Sequence, residues 1–158
     1  MLQYRQNSQG VLPIPSRWGI DADIAGRPIV RGTITINSIT GNTIIGTADF
    51  RGTPIPIQGT WDENSNQIMF DSPYASFTGS LTIYDDAAIR VRHLVLSGRF
   101  TMKPPSLQAG ESGNWIATTD TFLTGQPVNT TAIPPAGVFL TSDLLYNSQR
   151  RTSRSIYW

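Results

Sequence analysis

GTITINSITGNTIIGTADFRGTPIPIQGTW, residues 32–61, is the stretch that decides the fold. Four Gly-Thr pairs punctuate it, at Gly32-Thr33, Gly46-Thr47, Gly52-Thr53 and Gly59-Thr60, with short runs of alternating Ile and Thr between them. A helix is excluded, because β-branched residues dominate, Gly and Pro interrupt, and the apolar period is two. The stretch therefore reads as a meander of hairpins. Its glycines are expected at strand ends, where close backbone approach or bends are needed.

The same pattern extends outward. Upstream, Trp18, Ile20, Ala22 and Ile24 alternate with Gly19, Asp21 and Asp23, the pattern of a half-buried first strand. Acids at alternate positions on its wet face need no role beyond solvation. After the turn at residues 25–28, strands are expected near 29–36, 43–50, 55–61 and 67–70. Pro54 and Pro56 cannot donate ladder hydrogen bonds, which assigns their segment to an edge, a bulge or a strand start. The loop from Asp62 to Asn66 has oxygen side chains at alternate positions, like half of a calcium loop. Gln67 and Pro73 stand where that loop needs Gly and Glu, so it reads as a polar hairpin turn.

Downstream, residues 75–84 lead through Asp85-Asp86-Ala87-Ala88 into a long strand over 89–102. Arg90, Arg92 and Arg99 on this arm read as a solvated surface. Leu94, Val95 and Leu96 then run without alternation, which predicts burial on both faces midway. His93 is the only histidine, so a two-histidine metal site is impossible and a structural role in the strand is expected. Residues 114–122 supply a last strand. Beyond Thr124 the chain is rich in Thr, Pro and Gly and then ends in VFLTSDLLYNSQRRTSRSIYW, residues 138–158. Phe139, Leu140, Leu144, Leu145, Tyr146, Tyr157 and Trp158 make that end too apolar for a free arm. The divisions are an N-terminal arm over 1–17, a β-barrel over 18–123, and an extended segment over 124–158 that docks on the barrel or a partner subunit.

Composition bounds what such a chain can do. With 158 residues it forms one domain with a substantial core. Charged residues make up 15%, against about 25% in an average protein, and twelve bases against eleven acids leave +1. No net field for nucleic acid or anionic membranes results. Without cysteine, neither disulfides nor thiolate metal sites can form. Residues 1–17 lack the apolar run of a signal peptide or membrane span, which implies a cytoplasmic protein if the chain is full length.

Three segments resemble the avidin and streptavidin family. TITINSITGNTIIGTA from Thr33 is similar to its second and third strands, where a strand runs through a Gly turn into a Gly-Thr pair. FTGSLTIYDDAAIRVRHLVL from Phe77 is similar to its Phe-Thr-Gly hairpin, and NWIATTDTF from Asn114 to its closing strand. The resemblance implies an all-β, antiparallel up-and-down eight-stranded β-barrel with a ligand site at one mouth, usually in a homo-oligomer. By the same resemblance Trp115 sits where the closing-strand Trp covers a neighbouring subunit's ligand, and Trp61 lies near a wall position.

The biotin site does not carry over. Ala48 replaces the Tyr that follows the family's Gly-Thr pair, Asp120 follows Trp115 too soon to match the family's acid, and Trp18 lacks the opening Trp-Asn-x-x-Gly-Ser pattern. Each missing hydrogen bond to a buried ligand costs about 1–3 kcal/mol. The expected function is a non-enzymatic barrel binding a small apolar or aromatic ligand other than biotin. Trp18, Trp61, Trp115, Phe77 and Asp120 are the candidate binding residues, with no cofactor, metal, nucleic acid or membrane partner. The alternative is an assembly or protein-interaction module that forms a homo-oligomer around a filled barrel. A lumen packed with Ile, Leu and Phe would favour the second.

Overall fold

A computed structural model describes residues 12–127. Most of the arm and most of the C-terminal segment, including its expected docking, lie outside the described residues. Eight strands follow one another: β1 (Ser16–Ile24), β2 (Arg27–Thr40), β3 (Thr43–Asp49), β4 (Pro54–Asp62), β5 (Gln67–Asp71), β6 (Ala75–Asp86), β7 (Val91–Met102) and β8 (Ser112–Phe122). Each pairs antiparallel with the next, and β8 pairs with β1 from Asp23↔Asn114 to Gly19↔Thr118. The result is the closed eight-stranded up-and-down barrel expected from the sequence.

Local chemistry sets the turns. Ala25 and Gly26 both take positive φ, 55° and 81°, as a two-residue hairpin that matches strand twist requires. Asp62 accepts the backbone N–H of Asn64 at 2.9 Å and Asn66 takes φ 58°, so the Asp62–Asn66 loop closes on its own atoms. Asp86 accepts from the backbone N–H groups of Ala88 and Ile89, at 3.0 and 3.4 Å. Ile89 thereby falls in the turn, 63% exposed, and β7 starts at Val91 rather than at the expected Ile89.

Alternation puts Trp18, Ile20, Ile34, Ile36, Ile44, Ile68, Leu94 and Leu96 inside, all at most 1% exposed. Phe77 stacks between Phe70 and Phe100, with ring centroids 4.6 and 5.6 Å away, and the Trp115 ring meets Phe70 and Phe77 edge-on. The lumen is thus occupied by one contiguous cluster drawn from every strand. Burial of this kind, worth about 1.5–3 kcal/mol per large side chain, is the main stabilising term.

Gly32, Gly46 and Gly59 lie within strands on the inner face, not at strand ends. A Cβ at each would run into a neighbouring strand, at the carbonyl oxygens of Asp49, Thr35 and Met69 respectively. Glycine is needed there because the sheet curls tightly toward the axis. One inward row makes the tilt of the strands plain: Val30, Ala22, Trp115, Gly98, Gly79, Ile68 and Trp61 are successive cross-strand partners. It starts in the first half of β2 and ends at the last turn of β4, on the opposite mouth.

Two expectations about edges and faces meet the geometry. β5 pairs with β4 only from Gln58 to Asp62, so Pro54 and Pro56 have β3 on one side and an open flank on the other. The prolines occupy a local edge inside a closed barrel, which is where a missing donor costs least. On β7 and β8, the outward-facing cross-strand pair Val95 and Thr118 is 5% and 7% exposed, so midway along these strands the wall is buried on both faces as the unbroken Leu94-Val95-Leu96 run implies, while Arg99, Asp120 and Phe122 farther along stay exposed.

A candidate site at the lower mouth

In an up-and-down barrel alternate connections share a mouth. The β2–β3, β4–β5 and β6–β7 turns, the start of β1 and the end of β8 therefore meet at one end, called here the lower mouth. A cleft of about 400 Å³ opens there. Leu12, Ile14, Ile39 and Trp61 give it apolar walls, and the segment Asp62-Glu63-Asn64 and the turn Gly41-Asn42 form its rim. Trp61 and Leu12 are buried, at 6% and 8% exposure, while Ile14 is 41% exposed. The Trp61 backbone N–H donates to the Asn42 carbonyl at 2.8 Å, which ties the two rim turns together.

Farther around the same mouth, Arg92 donates two hydrogen bonds to Asp85, at 2.8 and 2.9 Å. Both residues have inward parity, and the Asp85 side chain is fully buried while that of Arg92 is 18% exposed. Arg90 donates to the carbonyls of Leu123 and Gly125, at 3.0 and 2.9 Å, and so fixes the path of the chain after β8. Arg99 lies on the outer wall and donates to Asn114 and Ser112. Arg90 and Arg99 are exposed as expected of a solvated surface, whereas the ladder turns Arg92 inward onto Asp85.

The five residues proposed from the sequence are not gathered in one place. Trp61 lines the cleft. Trp18 is a core residue at 1% exposure, its indole N–H donating to the Ser16 hydroxyl at 2.8 Å. Phe77 is in the ring stack at 3% exposure. Trp115, at 2% exposure, donates its indole N–H to the carbonyls of Thr78 and Arg99, at 2.9 and 3.1 Å. Its edge borders a second hollow of about 280 Å³ beside the β1–β2 turn, at the opposite mouth. Asp120 points outward and bonds His93 Nδ1 at 2.8 Å across the β7–β8 ladder.

Sequence reasoning missed Leu12, Ile39 and the rim residues as site components. The signal that finds them is connection parity: turns two apart share a mouth, whatever their separation along the chain. A third hollow, of about 540 Å³, lies where β4 lacks its β5 partner, and Pro56, Gln58 and Ser72 border it. Among the described residues no cluster of His, Cys, Asp and Glu could hold a metal ion. No helix there is long and apolar enough to cross a membrane. The resemblance to the avidin and streptavidin family holds at the level of the eight-stranded closed barrel, and comparison with protein-family models, curated proteins and solved structures finds no match.

Proposed function

We propose that the protein is a non-enzymatic interaction module that works through its outer wall and associates with a second copy of itself. The filled lumen carries this reading: Phe70, Phe77, Phe100 and Trp115 occupy in ring contacts the space that a ligand-binding barrel leaves open. The outer wall adds a self-compatible surface. From β3 to β6 its central positions are Ile45, Thr47, Pro56, Gln58, Thr60, Met69, Thr78 and Ser80, none of them charged. Ile45 and Met69 are 44% and 54% exposed.

An uncharged wall can meet its own copy without opposing like charges. Four strands about 4.8 Å apart give roughly 400 Å² of such surface, about half of what each partner contributes to a standard interface. The association is therefore weak. Sedimentation velocity of the full chain over two decades of concentration is expected to show reversible dimerisation that Ile45→Arg and Met69→Arg abolish. A wild-type monomer throughout, or variants that associate like the wild type, would sink the reading.

A second reading rests on the lower-mouth cleft, whose volume falls within the range of small-ligand sites and whose wall includes Trp61. Titration of tryptophan fluorescence with biotin and a panel of apolar ligands tests it. No quenching or shift with any of them removes the cleft from consideration.

A further inference from the structure

We infer that the lower-mouth cleft takes a small organic cation, an ammonium or guanidinium carried on an apolar or aromatic body. This rests on the second reading above and adds the charge of the ligand. Three observations carry it. Leu12, Ile39 and Trp61 offer apolar surface, and an indole in such a wall attracts a cation as well as a ring. Two carboxylates, Asp62 and Glu63, follow Trp61 directly on the rim, and among the described residues the lining includes no Lys, Arg or His.

The third observation concerns pairing. Asp21, Asp71, Asp85 and Asp120 each have a basic partner within 4.0 Å, whereas Asp62 and Glu63, like Asp23, Asp49, Asp86 and Glu111, are in no ion pair among the described residues. Asp62 uses Oδ1 on the Asn64 backbone N–H, which holds its carboxylate in place at the rim. A cation entering the cleft would therefore meet, beside an apolar wall, two carboxylates that no base among the described residues neutralises. An anion would meet repulsion at the same point, so the cleft discriminates by sign.

The test compares three ligands of one shape with the full chain at low salt: 2-phenylethylammonium, 2-phenylethanol and phenylacetate. Binding is followed by the indole N–H resonance of Trp61, identified with Trp61→Phe. The cation is expected to bind about fivefold more tightly than the alcohol, a preference that exposed carboxylates can supply and that salt screens. Asp62→Asn with Glu63→Gln, two exposed positions that leave the core untouched, is expected to make the two ligands equal. If the alcohol binds as tightly as the cation, the charge inference is wrong and the cleft reading stands. Movement of the Trp115 resonance in place of Trp61, or of neither, overturns both. A response only after Arg150, Arg151 and Arg154 are replaced by Ser assigns the cleft to the chain's own basic segment and overturns the free-ligand inference.

Discussion

The indole of Trp115 can lie across two strands because the residues beneath it are glycines. A Cβ on Gly79 would come within 2.8 Å of Trp115 Cζ2, and one on Gly98 within 2.5 Å of the Gly79 Cα. Backbone cannot move aside as a flexible side chain can, so Gly98→Ala is expected to cost about 3 kcal/mol, the upper part of the overpacking range. Gly19→Ala, on the outer face with nothing within 4 Å of its Cβ, is the control and is expected to stay within about 0.5 kcal/mol. Urea unfolding of the two variants checks the contrast, and equal midpoints would contradict this account of the inner glycines. The residue scale is also where the sequence was hardest to read. Parity alone separates Asp120 from Trp115, since an odd inward position puts an even one outside. Which inward tryptophan reaches a mouth depends instead on strand tilt, and alternation does not reveal tilt. Trp61 and Trp115 share one cross-strand row and still border different ends of the barrel.

Among the elements, β4 shows best how a closed sheet handles a short neighbour. β5 has five residues and β4 nine, so the first half of β4 is left with a free flank, and that half carries Pro54 and Pro56. Replacing both prolines by Thr would restore donors along the flank and make it a template for pairing with another chain. The double variant is expected to keep its stability within about 1 kcal/mol, because the open flank carries little packing. It is also expected to aggregate faster on heating, as read by light scattering. Unchanged scattering would mean that the prolines do not protect this edge. The edge was legible in the sequence through the two prolines. The closure around it was not, since the length of β5 follows from where the Ser72 turn sits. There the Ser72 hydroxyl accepts the Ala75 backbone N–H at 3.1 Å, which ends β5 and starts β6 within a few residues.

For the whole molecule, one core reaches all eight strands, and Trp18, Trp61 and Trp115 all belong to it. A single core implies a single cooperative transition. Tryptophan fluorescence and far-ultraviolet circular dichroism are expected to give the same unfolding midpoint, and separate midpoints would show that part of the wall melts alone. The fold class could be read from the sequence because turn spacing and period-two alternation are local properties. The mouth cleft could not, because it joins Leu12 before β1, Asn42 in the β2–β3 turn and Asp62 at the end of β4, which only the closed ladder brings together. That closure also governs the order of assembly. β1 and β8 are hydrogen-bonded neighbours at opposite ends of the barrel sequence, so during synthesis the outer flank of β1 stays unsatisfied until the last strand has left the ribosome. A nascent chain that pauses before Ser112 presents an open seven-stranded sheet with two raw margins, and chaperone demand should peak in that interval.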